Sequence, residues 1–305
     1  SGPTEAPGSV IVKYTTEDPG SLAVAKAMGL YELEVRFYQD IAPLVPRMSV
    51  PTCYLATIDD ESRFVVVLED FGGRARPGDV FTESPPDECA AALSQLVAFQ
   101  APLWNSTAVA GLGWIADPAR THGVFDQMAQ GLPALLARFG DALRPAHVRL
   151  LETLLPRAGE WARSWRAPTV VQHGDFRSDN TLLGTAPGAP PLTVIDFQTV
   201  RLGPPGIDPA QYLASAVTTD TRRATERDLI ADYHAGLAAA GVPDWSVDDC
   251  WDSYREGALY AVFLFAGMAA GVESTERGDR LIVEQLSRYV DMAIDLDSAK
   301  VAGLQ

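Results

Sequence analysis

The most informative segment of the sequence is HGDFRSDN at residues 173–180, followed after a Gly- and Pro-rich loop by VIDF at residues 194–197. The flanking β-branched runs predict a strand leading to Asp175, and then a hairpin that begins at Asn180 and whose return strand ends at Asp196. Three oxygen-bearing side chains would then lie at one end of a small sheet. The alternative interpretation is a polar loop in which Asp and Asn residues cap turns.

Such a cluster suits a hard divalent cation. Mg²⁺ prefers oxygen ligands and takes most of them from phosphate and water, so the amide of Asn180 and the carboxylate of Asp196 are sufficient. The carboxylate of Asp175 then stays free to orient a hydroxyl group and accept its proton. The motif therefore predicts a Mg²⁺ site beside a carboxylate that can act on a hydroxyl group.

The composition restricts the partners. Across 305 residues, 40 acidic and 24 basic side chains give a formal net charge of −16, which argues against binding nucleic acid or anionic lipid. The longest uncharged apolar run, residues 257–272, is shorter than the roughly 20 residues that cross a bilayer, so we expect a buried core helix. Three separated cysteines without a disulfide or zinc pattern, and no visible signal peptide, predict a cytoplasmic protein.

The order of the predicted elements indicates an α+β chain with two unequal parts. The first part has a strand over 10–14, a helix over 21–42 that is interrupted near Gly29, and a hairpin of strands over 53–58 and 63–69. The second has helices over 86–101, 124–139, 146–165, 221–240, 247–270 and 280–296, broken by short strands over 169–172, 181–183 and 192–197. We expect a small lobe of residues 1–70 and a larger, mainly helical lobe of residues 71–305.

HGDFRSDN and VIDFQ resemble the catalytic loop and metal-binding segment of the aminoglycoside phosphotransferase and ecdysteroid-kinase-like families, which are small-molecule kinases of the protein-kinase-like superfamily. The resemblance extends over nearly the whole chain. VIVKY (10–14) resembles the strand with the phosphate-binding lysine, ELEVRFYQDIAP (32–43) the helix with its paired glutamate, VVVLEDF (65–71) the strand before the hinge, and GPPGIDPAQYLAS (203–215) the segment after the metal aspartate. The resemblance implies a bilobal kinase-like fold, with an antiparallel sheet and one helix in the small lobe and a catalytic hairpin in the large lobe.

The resemblance also implies roles for individual residues. Asp175 would be the catalytic base, and Asn180 and Asp196 would bind Mg²⁺. Lys13 would contact the α- and β-phosphates of ATP, held there by an ion pair with Glu34. The alternative for Lys13 is an exposed lysine that protects an edge strand from aggregation.

A second glutamate competes with Glu34 for this ion pair. Glu32 is two residues away and therefore lies on a different helix face. We favour Glu34 because it begins the family-like string ExxFY. Glu69 and Phe71 bound the stretch that the resemblance assigns to the adenine-binding hinge.

His173, Arg177 and Asp208 are predicted to support the catalytic loop, and Asp179 lies within it. The resemblance implies that His173 supports the loop through hydrogen bonds and that Asp208 holds its backbone. Arg177 and Asp179 lie within the loop, where they either contact substrate or phosphate or form a local ion pair.

The acceptor is predicted to be a small molecule with a hydroxyl group, such as an aminoglycoside, amino alcohol, sterol or macrolide. Only eleven residues separate Asp196 from Asp208, too few for the activation segment of a protein kinase. The stretch 103–166, with four tryptophans, is a candidate for binding the acceptor. Only twelve residues precede Lys13, so we expect the Gly-rich hairpin of these kinases upstream of residue 1. A nucleotide-binding pseudokinase with a regulatory role is the alternative function.

Overall fold

The computed structural model describes residues 6–166, 168–269 and 273–304. They form a mixed α+β fold of small antiparallel sheets and many helices, as predicted. The lobe boundary near residue 70 stays a prediction.

The first sheet is antiparallel and places Lys13. It contains β1 (Val10–Tyr14), β2 (Cys53–Ile58) and β3 (Phe64–Glu69) in the order β1-β3-β2. Alternate residues of the central strand β3 are buried, as expected for a sheet that is covered on one face. Lys13 pairs with Val66 of β3 and is half-buried, whereas its neighbours Val12 and Tyr14 are exposed.

The predicted helix over 21–42 divides at Gly29 into α1 (Pro19–Met28) and α2 (Leu30–Arg36), which a π turn at Phe37–Ile41 extends. Gly29 has a φ of 66°, and a Cβ atom there would lie 1.7 Å from the guanidinium of Arg120. The positive φ is what favours glycine here, because the guanidinium is the end of a flexible side chain and could move aside. The break starts α2 in an orientation that buries Glu34.

The remaining strands form two small sheets. The strands β4 (Ala75–Pro77), β6 (Thr181–Gly184) and β7 (Leu192–Val194) form one, and β5 (Val170–Gln172) pairs with β8 (Arg201–Gly203). The remaining helices are α3 (Pro86–Gln100), α4 (Thr107–Ala110), α5 (Gly113–Ala116), α6 (Pro118–Met128), α7 (Leu132–Phe139), α8 (Pro145–Leu154), α9 (Ala158–Ser164), α10 (Ile207–Ala216), α11 (Thr219–Ala239), α12 (Val247–Met268), α13 (Glu276–Asp295) and α14 (Ser298–Val301).

Several elements differ from the prediction. The helix predicted over 146–165 divides into α8 and α9 around Pro156, which has no N–H group to continue a helix. The helix predicted over 124–139 divides into α6 and α7 at a 3₁₀ turn. No pattern indicated α10, because all its residues are buried and the sequence therefore shows no polar face.

The apolar run predicted as a core helix lies largely in α12, which packs between α10 and α13 and is buried over most of its second half. That prediction is confirmed as far as residue 268, and residues 270–272 lie outside the described residues. Among the described residues, none of the helices combines the length and the apolar character that crossing a membrane requires.

Candidate active site

The predicted catalytic loop connects β5 to β6 and is fixed by a glycine. Gly174 has a φ of 78°, and a Cβ atom there would lie 2.4 Å from the carbonyl oxygen of Thr199. The hydroxyl of Tyr260 donates a hydrogen bond of 2.8 Å to the Gly174 carbonyl. Only glycine adopts this backbone conformation without a clash, so the turn that presents Asp175 depends on it.

The carboxylate of Asp175 is held by three side chains. Arg177 donates from Nε and Nη2, at 2.8 Å and 3.2 Å. Asn180 donates from Nδ2 at 3.0 Å, and Gln211 of α10 donates from Nε2 at 3.2 Å. Four N–H groups therefore fix the orientation of a carboxylate whose side chain is still 23% exposed. No sequence pattern singled out Gln211, because α10 has no visible helical period.

Asn180 is oriented by the same network. Its Nδ2 donates to the carbonyl oxygen of Asp175 at 2.7 Å as well as to the carboxylate. Both bonds use the amide nitrogen, so the amide oxygen is directed away from Asp175. That oxygen is the atom of Asn180 that can bind a cation.

Lys13 is at the centre of a three-residue charged cluster. Its Nζ lies 2.6 Å from Oε1 of Glu34 and 2.7 Å from Oδ1 of Asp196. Burial alone would lower the pKa of Lys13, but the two carboxylates outweigh burial and raise it. Lys13 is therefore protonated, whereas burial raises the pKa of the Glu34 carboxyl above its usual value. Glu32 points elsewhere, with Oε2 at 3.6 Å from Nη1 of Arg120.

Asp196 adopts a backbone conformation that is uncommon for any residue but glycine. Its φ is 71°, in the left-handed region that Asp tolerates better than most residues. The next residue, Phe197, is fully buried and stacks on Phe37, with ring centroids 3.5 Å apart. This packing turns the chain at Asp196 and directs its carboxylate towards Lys13.

Asp208 and His173 support the catalytic loop through hydrogen bonds with backbone groups. The carboxylate of Asp208 accepts hydrogen bonds from the backbone N–H groups of His173 (2.8 Å) and Gly174 (3.1 Å). Burial raises the pKa of Asp208 to about 6. The Nε2 atom of His173 lies 2.9 Å from the carbonyl oxygen of Ile195, and its Nδ1 accepts from the N–H of Asp175. Both ring nitrogens are thus engaged with backbone, as expected for a supporting residue.

The other predicted residues lie near the loop or at the end of β3. Arg177 is within 3.3 Å of Asp179 as well as bonded to Asp175, so it forms the local ion pair that was one of its two predicted contacts. The carboxylate of Glu69 is engaged by Arg74 at 2.7 Å. Phe71 is buried after the end of β3.

A cavity of about 270 Å³ opens beside Asp175. Gln198 and Thr199 also line it, and Nε2 of Gln198 donates to Asp196 at 3.2 Å. The cavity therefore extends from the catalytic loop towards the Lys13 cluster. Its walls come from the α1–α2 junction, α12 and α13, which no sequence pattern connected with the loop.

The stretch 103–166, predicted to bind the acceptor, contributes none of the described residues that line this cavity. Its tryptophans are engaged in packing. Trp161 is fully buried against Trp165, Trp104 contacts Trp245, and Nε1 of Trp114 donates to Asp40. The stretch therefore does not line the cavity at Asp175 within the described residues, and its role in binding the acceptor stays a prediction.

Few protein groups are available for a metal. Among the described residues there is no group of three or more His, Cys, Asp or Glu side chains that could hold a metal ion. A cation at Asp196 and Asn180 would thus take its other ligands from outside the protein. This donor set, one carboxylate and one amide oxygen, fits Mg²⁺ bound together with phosphate.

We expect Asp208→Ala to lower the free energy of unfolding by about 2 kcal/mol, because it leaves two buried N–H groups without an acceptor. Denaturation in urea measures the change. Asp220→Ala, at an exposed position of α11, is the matched control and should change the stability by less than about 0.5 kcal/mol. Equal effects of the two substitutions would contradict the role of Asp208.

The sequence profile of the phosphotransferase enzyme family (APH) matches residues 20–248, most of the chain. The chain therefore belongs to this family, and the predicted class of enzyme, a small-molecule kinase, is confirmed. No protein with a curated description matches the sequence significantly.

Solved structures agree in fold. The gentamicin complex of APH(2")-IIa superimposes with a TM-score of 0.53 at 15% identity, covering 93% of this chain and 87% of that one. A Ralstonia eutropha JMP134 protein assigned as an aminoglycoside phosphotransferase gives 0.50 at 17% identity, covering 95% and 86%. Plasmodium vivax ethanolamine kinase gives 0.50 at 9% identity, covering 97% and 77%. The predicted kinase-like fold is thus confirmed.

Proposed function

We propose that the protein transfers the γ-phosphoryl group of ATP to a hydroxyl group of a small molecule. In the transfer, the hydroxyl oxygen forms a bond to the γ-phosphorus while the bond to the bridging oxygen of ADP breaks. The hydroxyl proton passes to the carboxylate of Asp175. The observation that carries this proposal is that Asp175 faces a cavity which extends towards the cluster of Lys13 and Asp196.

Asp175 acts mainly by orienting the hydroxyl. The four N–H groups on its carboxylate, two on each oxygen, fix its direction, and a hydroxyl in the cavity would replace one of these donors. Phosphoryl transfer passes through a loose transition state, in which position matters more than base strength. An ionised carboxylate is therefore a sufficient base.

The Lys13 cluster is suited to receive the nucleotide. Lys13 is held by an ion pair with Glu34, whose side chain is only 1% exposed and therefore stays in the protein interior when a ligand binds. When phosphates enter, the ammonium group can contact them while Glu34 keeps it in place. Asp196 and the amide oxygen of Asn180 would hold Mg²⁺, which neutralises charge on the transferred phosphoryl group.

The rest of the nucleotide would lie between the two predicted lobes. Backbone groups at residues 69–71, after β3, would bind adenine between lobes 1–70 and 71–305. The carboxylate of Glu69 is engaged by Arg74 and Thr52, so the backbone is what this segment offers to the base.

The first test is thermal denaturation with ATP and Mg²⁺. At a concentration about 100 times the Kd, ATP·Mg²⁺ stabilises the folded state by about 2.7 kcal/mol, which raises the Tm by about 5 °C. Chelating the metal should abolish most of the shift. Lys13→Met should lower the shift at the same concentration of ATP, whereas Lys26→Met, at an exposed position of α1, should not.

An unchanged Tm of the wild-type protein with ATP·Mg²⁺ would refute the proposed nucleotide site. A rise in the Tm of Lys13→Met with ATP·Mg²⁺ that equals the rise in the wild type would refute the role of Lys13. Nucleotide binding without transfer to any hydroxyl compound would favour the regulatory alternative instead.

A further inference from the structure

The cavity beside Asp175 is apolar except at the end that meets the catalytic loop. Its polar end consists of Asp175, Arg177, Gln198 and Thr199. Its walls are mainly hydrophobic side chains: Met28, Leu30, Leu264, Phe265, Leu281 and Ile282. A ligand that presents a hydroxyl group to Asp175 therefore places the rest of its surface against hydrocarbon.

The charges at the polar end cancel. Asp175 and Arg177 are the charged groups among the described residues that line the cavity, and they form an ion pair with Nε and Oδ1 at 2.8 Å. Asp279 follows the lining residue Gly278, but its carboxylate is engaged by Arg138 and Ser274. The described lining thus offers no unpaired carboxylate to a cationic ligand.

A ligand with several ammonium groups would lose hydration in this cavity without gaining partners. Burying a charge is unfavourable unless an opposite charge or several hydrogen bonds replace the water. The guanidinium of Arg177 would also repel a nearby ammonium group. An uncharged alcohol with a hydrocarbon skeleton neither loses the hydration of a charge nor is repelled by Arg177. Only its hydroxyl group needs polar partners, and burial of its skeleton favours binding.

We propose that the acceptor is a compact, uncharged alcohol with a mainly apolar skeleton, and that polycations such as aminoglycosides are excluded. The inference rests on the proposed function, because it identifies the acceptor from the surroundings of Asp175. The volume of about 270 Å³ is at the lower end for small-molecule sites, which favours a compact acceptor. The net charge of −16 on the whole chain does not alter this, since the charges within the cavity are balanced.

A matched pair of acceptors tests the proposal. In 4-methylcyclohexanol and 4-aminocyclohexanol the hydroxyl group has the same surroundings, and an ammonium group replaces a methyl group at the far end of the ring. With ATP and Mg²⁺, we expect kcat/KM for the methyl compound to exceed that for the amino compound and for gentamicin at least about tenfold. A wild-type enzyme that phosphorylates the amino compound or gentamicin equally well would overturn the proposal.

A pair of variants at the cavity wall locates the effect. Leu281 of α13 is half-buried and lines the cavity, so Leu281→Asp adds a carboxylate there, and Leu281→Asn is the uncharged control of the same size. The ratio of kcat/KM for the amino compound to that for the methyl compound should be about tenfold higher in the Asp variant than in the Asn variant. An equal ratio in the two variants would show that the acceptor does not contact this wall and would overturn the assignment of the cavity.

Failure of the inference and failure of the proposed function are distinguishable. If ATP·Mg²⁺ raises the Tm but uncharged alcohols of this kind are neither phosphorylated nor stabilising, the acceptor class is wrong and the nucleotide site stands. If ATP·Mg²⁺ does not bind to the wild-type protein, the proposed function is wrong, and with it the inference.

Discussion

Asp175→Asn should lower kcat about 10³-fold while the KM for ATP changes by less than about threefold. The amide has nearly the shape of the carboxylate but cannot accept the hydroxyl proton. Its NH₂ group also takes the place of an oxygen that now accepts a hydrogen bond from Arg177, Asn180 or Gln211. The acceptor hydroxyl therefore loses both its orientation and its proton acceptor. Steady-state release of ADP, measured with a coupled assay, gives both constants.

The control for this prediction is Asp228→Asn, the same substitution at an exposed position of α11. It should leave kcat within about twofold of the wild type. If Asp175→Asn retained most of the wild-type kcat with its ATP·Mg²⁺ stabilisation intact, Asp175 would not be the proton acceptor.

The turn at residues 173–180 and the strands beside it could be predicted from the sequence because local constraints determine them. Gly174 must be glycine, and Asp175 and Asn180 are five residues apart, close enough for the loop to bring them into contact. Asp196 follows a hairpin of short strands, which the Gly- and Pro-rich loop marks. Local signals of this kind are visible without knowledge of the tertiary structure.

The contact between Lys13 and Asp196 joins residues 183 positions apart, and no spacing rule could predict it. Only the resemblance to a kinase family indicated that the two residues share a site. The resemblance also led to the preference for Glu34 over Glu32, and the ion pair of 2.6 Å is consistent with that preference. In physical terms the choice follows from the break at Gly29, which sets the rotation of α2.

The cavity and one support of the loop, Gln211, could not be predicted for a different reason. Gln211 lies in a fully buried helix, and no helical period in the sequence of this helix singles out its side chain. The walls come from α12, α13 and the α1–α2 junction, and each contributes ordinary apolar residues. The tryptophans of stretch 103–166 were more conspicuous in the sequence, but none of them lines the described part of this cavity.

The second large effect is expected for Asp196→Asn, which should reduce kcat about 10³-fold and abolish most of the metal-dependent rise in Tm. The carboxylate of Asp196 is the charged member of the predicted metal ligands and also contacts Lys13 at 2.7 Å. An amide keeps the shape and the left-handed backbone, which Asn tolerates as well as Asp does. The substitution thus removes the charge with little change in the fold.

Two measurements distinguish loss of the metal from loss of the lysine contact. In Asp196→Asn, the Mg²⁺ concentration for half-maximal stabilisation by ATP should rise at least about tenfold, whereas Lys13→Met should weaken ATP binding with little change in that concentration. Asp60→Asn, at an exposed turn between β2 and β3, is the control and should match the wild type. If Asp196→Asn kept the wild-type dependence on Mg²⁺, the metal would be bound elsewhere, and the contact with Lys13 would be the main role of this carboxylate.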